Sequence, residues 1–214
     1  MTDKQLIPAP QRVSIAGHDY DLVAFYFPNQ ETAWDRIYRA AFLGNFWVAP
    51  VTITVGRESA TFRTAEAAFQ CTKWWSKKTT EGDSIRTMFE DCADGDAAFT
   101  LRNALVKGAG GAPLCPDWDQ SYAGLQRDGA MKAVLEAKFR DATLRDALLA
   151  TGGAYLLEHN SKVGRDSYWS DDHDGTGANM LGRMLMSLRA ELGGKGEPAP
   201  AQSVGSFTAK VRTN

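Results

Sequence analysis

The amino-acid sequence predicts an α+β fold, a helix-rich single domain with a small antiparallel sheet. Strand-like patterns are concentrated in the first third of the 214-residue chain, and apolar residues spaced by three and four follow from Thr64 onward. Strands and helices do not alternate regularly, which argues against a parallel α/β fold. We expect residues 1–12 to be a loose lead-in, residues 13–192 to form the folded domain, and residues 193–214 to be a flexible tail.

The strand predictions depend on apolar runs and on alternation. Residues 21–27 form a compact apolar and aromatic run that ends at Pro28. Residues 51–55 alternate strictly between apolar and polar side chains, and a glycine-containing turn leads from them into residues 60–63, which is typical of a hairpin. Further short strands are predicted at residues 154–158, 167–169 and 206–211.

Helices are predicted where apolar residues recur at helical spacing. The predicted helices span residues 64–77, 84–91, 96–106, 122–140, 143–151 and 178–192. Glycine clusters at residues 108–111 and 152–153 separate some of these segments. No glycine cluster has the spacing of a dinucleotide-binding loop between a strand and a helix, so the sequence argues against a dinucleotide fold.

Composition and charge exclude several classes of protein. With 24 Lys and Arg against 26 Asp and Glu, the formal net charge is −2, so a nucleic-acid substrate must be held by a local patch. The three cysteines form no C-x-x-C pair, which argues against a disulfide framework or a zinc ribbon. The chain has no run of about 18 apolar residues and no signal-peptide pattern, so we expect a cytoplasmic protein with no membrane partner.

The helix that begins at Thr64 carries a polar face suited to ligand binding. At 100° per residue, Glu66, Gln70 and Lys73 fall within about 60° of one another. Apolar residues cover nearly all of the remaining circumference, and an unpaired buried charge is costly, so we expect the polar side chains to line a cavity. Glu66 and Lys73 lie roughly 10 Å apart along the axis, a span that suits two parts of one ligand. The competing interpretation is a charged stripe on a solvated helix.

A second candidate segment runs from Tyr168 and Trp169 through an acidic loop to the last predicted helix. The loop consists of Asp171, Asp172, His173 and Asp174. Residues 176–179, at the start of the helix, offer N–H groups of the kind that bind phosphate. Carboxylates adjacent in sequence seldom converge on one ion, so we predict no metal. A helix cap with solvated acids is the competing interpretation.

Four blocks of residues together resemble the NADAR family, also called YbiA-like, and in this order and spacing they are fairly specific. The first two blocks are Gly44-Asn45-Phe46 and Thr64 through Gln70 with Lys73. The third block is Asp117-Trp118-Asp119 with Lys138-Phe139. The fourth block comprises residues 148–151, Leu157-Glu158-His159, Tyr168 through Asp171, Gly175, Gly177, Asn179, Leu181 and Gly182.

The resemblance implies a hydrolase that cuts N-glycosyl bonds, an N-glycosidase acting between ribose C1 and an exocyclic amine of a base. One family substrate is ADP-ribose attached to guanine in nucleic acid, whose removal reverses ADP-ribosyltransferases in an antitoxin-like manner. The other substrate class consists of phosphorylated ribosylamino-pyrimidine intermediates of riboflavin biosynthesis. We expect the first substrate, with the second as the alternative, no cofactor, and a functional pairing with an ADP-ribosyltransferase toxin.

The resemblance also implies a set of site residues. The catalytic residues are Glu66, Lys73 and Asp171. The substrate-binding residues are Asn45, Phe46, Gln70, Trp118, Trp169, Gly177 and Asn179. The chain departs from the family pattern where His-Tyr often follows the glutamate, because it has Ala67 and Ala68 there. This smaller pair favours a bulkier substrate such as ADP-ribosylated nucleic acid.

In the expected mechanism Glu66 orients water or handles ribose protons, because a carboxylate lowers the barrier to a cationic ribose. Lys73 either binds phosphate as a cation or attacks the ring-opened sugar as a Schiff-base amine. Asp171 assists proton transfer or holds the ribose, whereas His159 is interpreted as a hydrogen-bonded structural histidine. Two rival hypotheses stay open, a non-catalytic module that binds ADP-ribose or a nucleotide and a metal-dependent hydrolase built on the acidic loop.

Overall fold

A computed structural model of the chain describes residues 6–111, 124–198 and 203–211. The chain divides into two compact units, a first unit of Met1–Gly44 with Asp141–Asn214 and a second unit of Asn45–Arg140. The strands are β1 (Gln11–Ile15), β2 (His18–Phe25), β3 (Val48–Val55), β4 (Glu58–Thr64) and β5 (Tyr155–Glu158). The α-helices are α1 (Ala33–Tyr38), α2 (Ala65–Thr72), α3 (Ile85–Glu90), α4 (Gly95–Val106), α5 (Gln126–Lys138), α6 (Ala142–Ala150), α7 (Met180–Glu191) and α8 (Val204–Thr208).

The predicted α+β class is confirmed, since among the described residues helices predominate and the strands form two small sheets. The predicted hairpin is the antiparallel pair of β3 and β4. The other sheet has the order β1-β2-β5, in which β1 and β2 are antiparallel but β2 and β5 are parallel. Parallel strands are joined by a long crossover rather than a tight turn, so no local pattern predicts this pair. Residues from both ends of the chain likewise form one unit together, a long-range arrangement that no local pattern predicts.

The core of the first unit lies around β2 and β5. Residues 22–25 and 155–157 are almost completely buried on both faces, as expected for strands covered by helices. α7 packs against β5, where Gly182 lies so close to the carbonyl oxygen of Leu156 that a Cβ would collide with it. This packing sets the position of the turn that precedes α7.

Arg189 on α7 is fully buried, and its hydrogen bonds connect three segments of the first unit. Its Nε donates to the carbonyl oxygen of Lys195 at 2.6 Å, and its Nη1 donates to Oγ1 of Thr151 at 2.7 Å. Its Nη2 donates to the carbonyl oxygens of Ala154 at 2.9 Å and Gly196 at 3.0 Å. Burial lowers the pKa of Arg189 to about 10. The four acceptors offset the cost of burying the guanidinium group.

The second unit is built around α2, which contacts β3, β4, α3, α4 and α5. All residues of Ala65–Thr72 are buried, so the predicted helix with apolar surroundings on nearly every side is confirmed. The helix ends at Thr72, with Lys73 at the C-cap. The sequence predicted a longer helix that ends at residue 77. Among the residues that the structure describes, no helix has both the length and the apolar composition needed to span a bilayer.

Several local predictions are corrected by the structure. Residues 167–169 form a turn rather than a strand, because a side-chain oxygen of Asp166 accepts two of their backbone N–H groups. The predicted strand at residues 206–211 is wrong, since α8 occupies this part of the tail and is capped by Ser203. β1 and α1 were not predicted. α1 has only six residues, which is too short for a helical period to emerge.

Candidate active site

Glu66 lies in the first turn of α2, directly after β4. The last residue of β4, Thr64, caps the helix with its Oγ1, which accepts the N–H of Ala67 at 3.1 Å. The N–H of Glu66 donates to the carbonyl oxygen of Asn45 at 2.9 Å. These two contacts satisfy N–H groups that a helix start leaves unpaired, and they hold Glu66 in a defined position.

The side-chain amide of Gln70 links Glu66 to Lys73. Nε2 of Gln70 donates to Oε1 of Glu66 at 2.8 Å, and Nζ of Lys73 donates to Oε1 of Gln70 at 2.6 Å. Glu66, Gln70 and Lys73 are 7%, 6% and 4% exposed. The prediction that they share one face of the helix is confirmed, and the interpretation as a solvated charged stripe is wrong. We call these three residues the α2 polar row.

Phe69 flanks the α2 polar row, as the helical spacing predicted, whereas Trp74 lies beyond the end of α2. Nζ of Lys73 lies 5.3 Å from the ring centroid of Phe69, within the range of a cation–π interaction. Trp74 is fully buried and stacks on Phe89, with centroids 6.2 Å apart and 22° between the ring planes. Apolar walls of this kind strengthen the electrostatic interactions of the charged groups beside them.

Asn45 and Phe46 lie in the second unit, just before β3. Oδ1 of Asn45 is buried and has no hydrogen-bond partner among the described residues, while its Nδ2 lies 3.6 Å from Sδ of Met131. A buried amide oxygen without a donor is costly, so a ligand hydroxyl or N–H group would stabilise it. Phe46 is partly exposed and packs on Gly95 at the start of α4, where a Cβ would collide with its ring.

Ala67 and Ala68 do not line an open space. Both residues are 0% exposed and belong to the core of the second unit. The interpretation that this small pair makes room for a bulkier substrate is therefore wrong, because their side chains are already enclosed by protein. Trp118, which was predicted to bind substrate, lies outside the described residues.

A second buried lysine, Lys138, lies in the last turn of α5. It is fully buried, and its Nζ lies 5.4 Å from the ring centroid of Phe139. Burial lowers the pKa of Lys138 to about 7. A lysine removed from water in this way is a stronger nucleophile at neutral pH than an exposed one. In the sequence Lys138 stands out only as part of a family block, because no sequence pattern reveals that its side chain is buried.

Asp171 lies in the acidic turn of the first unit and is fully buried. Its Oδ1 accepts the backbone N–H of His173 at 2.8 Å. Its Oδ2 lies 2.7 Å from Nδ1 of His159 and accepts a hydrogen bond from Oγ1 of Thr208, also at 2.7 Å. Both carboxylate oxygens are therefore engaged by protein groups.

His159, directly after β5, is a functional candidate that the sequence pattern did not reveal. Its interpretation as a hydrogen-bonded histidine is confirmed, but its partner is the predicted catalytic residue Asp171. The ring also meets Trp34 edge-on at 4.6 Å and stacks on His173 at 4.8 Å. Twelve residues separate His159 from Asp171, so no local spacing signals the pair.

The remaining acids of the turn contact separate protein groups. Asp172 accepts the N–H of Asp166 at 3.2 Å, and Asp174 accepts from the N–H and Oγ1 of Thr176 at 2.9 and 2.6 Å. The bonds from Thr176 hold the pKa of Asp174 below its usual range. In the described part of the chain, no three His, Cys, Asp or Glu side chains are grouped so that they could hold a metal ion. The geometry of these residues thus gives the metal-dependent hydrolase no support.

The turn before α7 uses its N–H groups within the protein. The N–H groups of Gly175 and Gly177 both donate to the carbonyl oxygen of Asp171. The N–H of Thr176 donates to Oδ1 of Asp174. The N–H groups of Ala178 and Asn179 donate to the carbonyl oxygens of Ser167 and Ser170. The predicted phosphate contact at residues 176–179 is therefore wrong, because these donors already have acceptors. Gly177 packs so tightly on the backbone of Asp171 that a Cβ would collide with it.

Asn179 and Trp169 have different environments in the first unit. The Asn179 side chain is fully buried and joins α7 to β5, since its Oδ1 accepts the N–H of Glu158 and its Nδ2 donates to the carbonyl oxygen of Leu156, both at 2.9 Å. Trp169 is only partly buried, and its ring meets Tyr168 edge-on at 4.9 Å. A partly exposed indole is suited to stacking on a base.

Comparison with known proteins identifies the family of the chain. The NADAR domain matches residues 26–193. The chain belongs to the NADAR family. This NADAR protein is 34% identical over 149 residues to the N-glycosidase YbiA of Shigella flexneri serotype 5b (strain 8401), a match that covers 69% of this chain and 79% of that protein. It is 46% identical over 63 residues to a riboflavin biosynthesis protein of Vibrio vulnificus (strain YJ016), covering 29% of this chain and 16% of that protein.

The NADAR assignment also agrees with a solved structure. The NMR structure of the Escherichia coli protein YbiA resembles this chain with a TM-score of 0.56 and 26% identity, covering 80% of this chain and 86% of that one. The predicted enzyme class, an N-glycosidase of the NADAR family, is confirmed by these relatives. The NADAR match ends at residue 193, so α8 lies beyond it.

Proposed function

We propose that this NADAR protein removes ADP-ribose from guanine in nucleic acid by hydrolysing the bond between ribose C1 and the exocyclic amine. The observation that carries the proposal is the buried α2 polar row, in which one amide joins a carboxylate to an amine. A carboxylate beside the anomeric carbon stabilises a cationic ribose, and this effect is stronger where water is excluded. The relatives named N-glycosidase support the type of bond.

Glu66 is the proposed catalytic carboxylate. As the C1–N bond breaks, positive charge develops on C1 and the ring oxygen of the ribose, and the negative charge of Glu66 stabilises it. Water then adds to C1 and transfers a proton to a basic group, while the departing amine takes up a proton. The products are ADP-ribose and the nucleic acid with its unmodified guanine, and water supplies both the oxygen on C1 and the hydrogen on the amine.

The other site residues have supporting roles in this proposal. Lys73 orients Gln70 and provides positive charge for a phosphate group, a task that the engaged N–H groups before α7 do not serve. Asn45 accepts a hydrogen bond from substrate through its buried Oδ1. Trp169 stacks on the base, and Asp171 assists proton transfer through the ring of His159.

A second candidate substrate is a phosphorylated ribosylamino-pyrimidine. It contains the same type of bond, and the similarity to the Vibrio riboflavin biosynthesis protein favours it. The first substrate further implies a functional pairing with an ADP-ribosyltransferase toxin, whereas the second does not. A module that binds ADP-ribose without turnover is the third candidate.

A turnover assay on both substrates side by side tests the proposal. We expect release of ADP-ribose from an oligonucleotide that carries ADP-ribosylated guanine, and we expect this release to survive a chelator. Glu66→Gln should abolish release while the protein stays folded, because the amide carries no negative charge. Glu81→Gln, which changes an exposed glutamate of the same unit, is the matched control and should keep the wild-type rate.

Each contrary result of the assay has one meaning. Release by Glu66→Gln at the wild-type rate removes Glu66 from the mechanism. Retention of the labelled oligonucleotide without any product supports the binding module. Turnover of the pyrimidine substrate alone supports the second candidate.

A further inference from the structure

The C-terminal helix α8 begins beyond the NADAR match yet packs on the sheet of the first unit. Phe207 is 1% exposed, and its ring stacks on Tyr155 of β5 with centroids 3.8 Å apart and 3° between the planes. The same ring meets Tyr20 of β2 edge-on at 5.4 Å. Aromatic contacts with two strands therefore hold α8 in place.

The backbone of α8 also lies against the acidic turn. A Cβ added to Gly175 would collide with Cα of Gly205, so only glycine allows this close approach. Gly175 also has a φ of +86°, which side chains other than glycine rarely adopt. The turn that carries Asp171 is thus shaped to receive α8.

Thr208, the last residue of α8, bonds directly to Asp171. Oγ1 of Thr208 donates to Oδ2 of Asp171 at 2.7 Å, and Nδ1 of His159 lies 2.7 Å from the same oxygen. An ionised carboxylate only accepts hydrogen bonds, so both neighbours act as donors. Thr208 and His159 therefore hold one carboxylate oxygen between them.

The shared oxygen holds Nδ1 of the His159 ring. When Nδ1 of the neutral ring carries the proton that Asp171 accepts, Nε2 has the lone pair and is the nitrogen that can take up a proton. Asp171 itself is fully buried, and both of its oxygens are engaged. Its effect on a reaction must therefore pass through the ring of His159, whose orientation it sets.

We propose that Thr208 is a positioning residue. Through Thr208, the helix α8, which lies beyond the family match, holds Asp171 in place and thereby sets the orientation of the His159 ring. This inference depends on the proposed function, in which Asp171 assists proton transfer. Loss of the Thr208 hydroxyl removes one of the three groups that hold the Asp171 carboxylate, so the carboxylate shifts and the His159 ring is misaligned. Misalignment slows the chemical step and leaves substrate binding unchanged.

The test compares three variants in the full chain. Thr208→Val removes the hydroxyl at nearly equal volume, and we expect kcat to fall about tenfold while KM stays within about twofold. Thr208→Ser restores the hydroxyl and should recover most of kcat. Lys210→Ala changes an exposed side chain just after α8 and should leave both constants unchanged. NMR of the histidine ring nitrogens provides a readout without substrate, and the His159 signals should move in Thr208→Val but not in Lys210→Ala.

The outcomes separate this inference from the proposed function. A wild-type kcat in Thr208→Val, or a loss of kcat that Thr208→Ser does not recover, overturns the positioning role. If the wild-type protein hydrolyses neither substrate, the proposed function fails, and the NMR signals still test the contact. Unchanged His159 signals in Thr208→Val then overturn the inference on their own.

Discussion

Lys73 determines which way the amide of Gln70 faces. Nζ of Lys73 lies 2.6 Å from Oε1 of Gln70. An ammonium group only donates hydrogen bonds, so the amide oxygen must face Lys73 and the amide nitrogen must face Glu66, 2.8 Å away. The α2 polar row therefore has one hydrogen-bond direction, from the lysine to the glutamate.

The first prediction concerns Gln70→Glu. The variant places a second carboxylate against Glu66, which raises the energy of the ionised row and removes a donor from the catalytic oxygen. We expect kcat to fall about 100-fold. Steady-state kinetics of ADP-ribose release measures this effect. Gln30→Glu, at an exposed position, is the control, and equal rates for the two variants would show that the amide has no special role.

The second prediction separates the two possible roles of Lys73. Because Lys73 is engaged with Gln70 as a donor, we expect it to act as a cation and not as a Schiff-base nucleophile. Borohydride added during turnover should leave no reduced sugar adduct on the protein, as measured by mass spectrometry. An adduct on Lys73 would instead establish the amine route, and an adduct on Lys138 would assign that route to the second buried lysine.

The third prediction is a pH dependence of stability caused by Lys138. The folded protein holds Lys138 at a pKa of about 7, whereas the ordinary value is 10.5. Between these two pH values unfolding takes up a proton, so this lysine makes the free energy of unfolding rise with pH. Lys138→Met lacks this contribution. In denaturant unfolding from pH 7 to pH 10, the free energy of unfolding of Lys138→Met relative to that of the unaltered protein should therefore be highest at pH 7 and decrease as pH rises. A constant difference between the two proteins contradicts the prediction.

The fourth prediction concerns the buried arginine of α7. Arg189→Met leaves three carbonyl oxygens and the hydroxyl of Thr151 without their donors, so we expect a loss of about 3 kcal/mol in the free energy of unfolding. Arg183→Met on the same helix is the control, because Arg183 is half exposed and its contact with Glu197 is a long 3.7 Å ion pair. Chemical denaturation of both variants measures the difference, and similar losses would contradict the role given to Arg189.

Helical periodicity predicted the α2 polar row because the positions involved are close in sequence. Glu66, Gln70 and Lys73 lie within two turns, and the geometry of a helix alone brings them to one face. The hairpin of β3 and β4 was predictable for the same reason, since alternation and a short turn are local features. Burial was less predictable. The complete enclosure of Lys138, and of Ala67 beside Glu66, depends on neighbours contributed by other elements.

The sequence by itself determined the face of α2 that carries the acid and the amine, because helical geometry brings residues at this spacing together. It determined the family and the enzyme class through the resemblance of its four blocks of residues to known proteins. Only the tertiary structure decided that His159 and Thr208, 12 and 37 residues from Asp171, meet at one oxygen of its carboxylate. It also decided that the N–H groups before α7 are already bonded within the protein. Contacts of this kind depend on how distant segments fold back on one another, and no local pattern of side chains encodes that path.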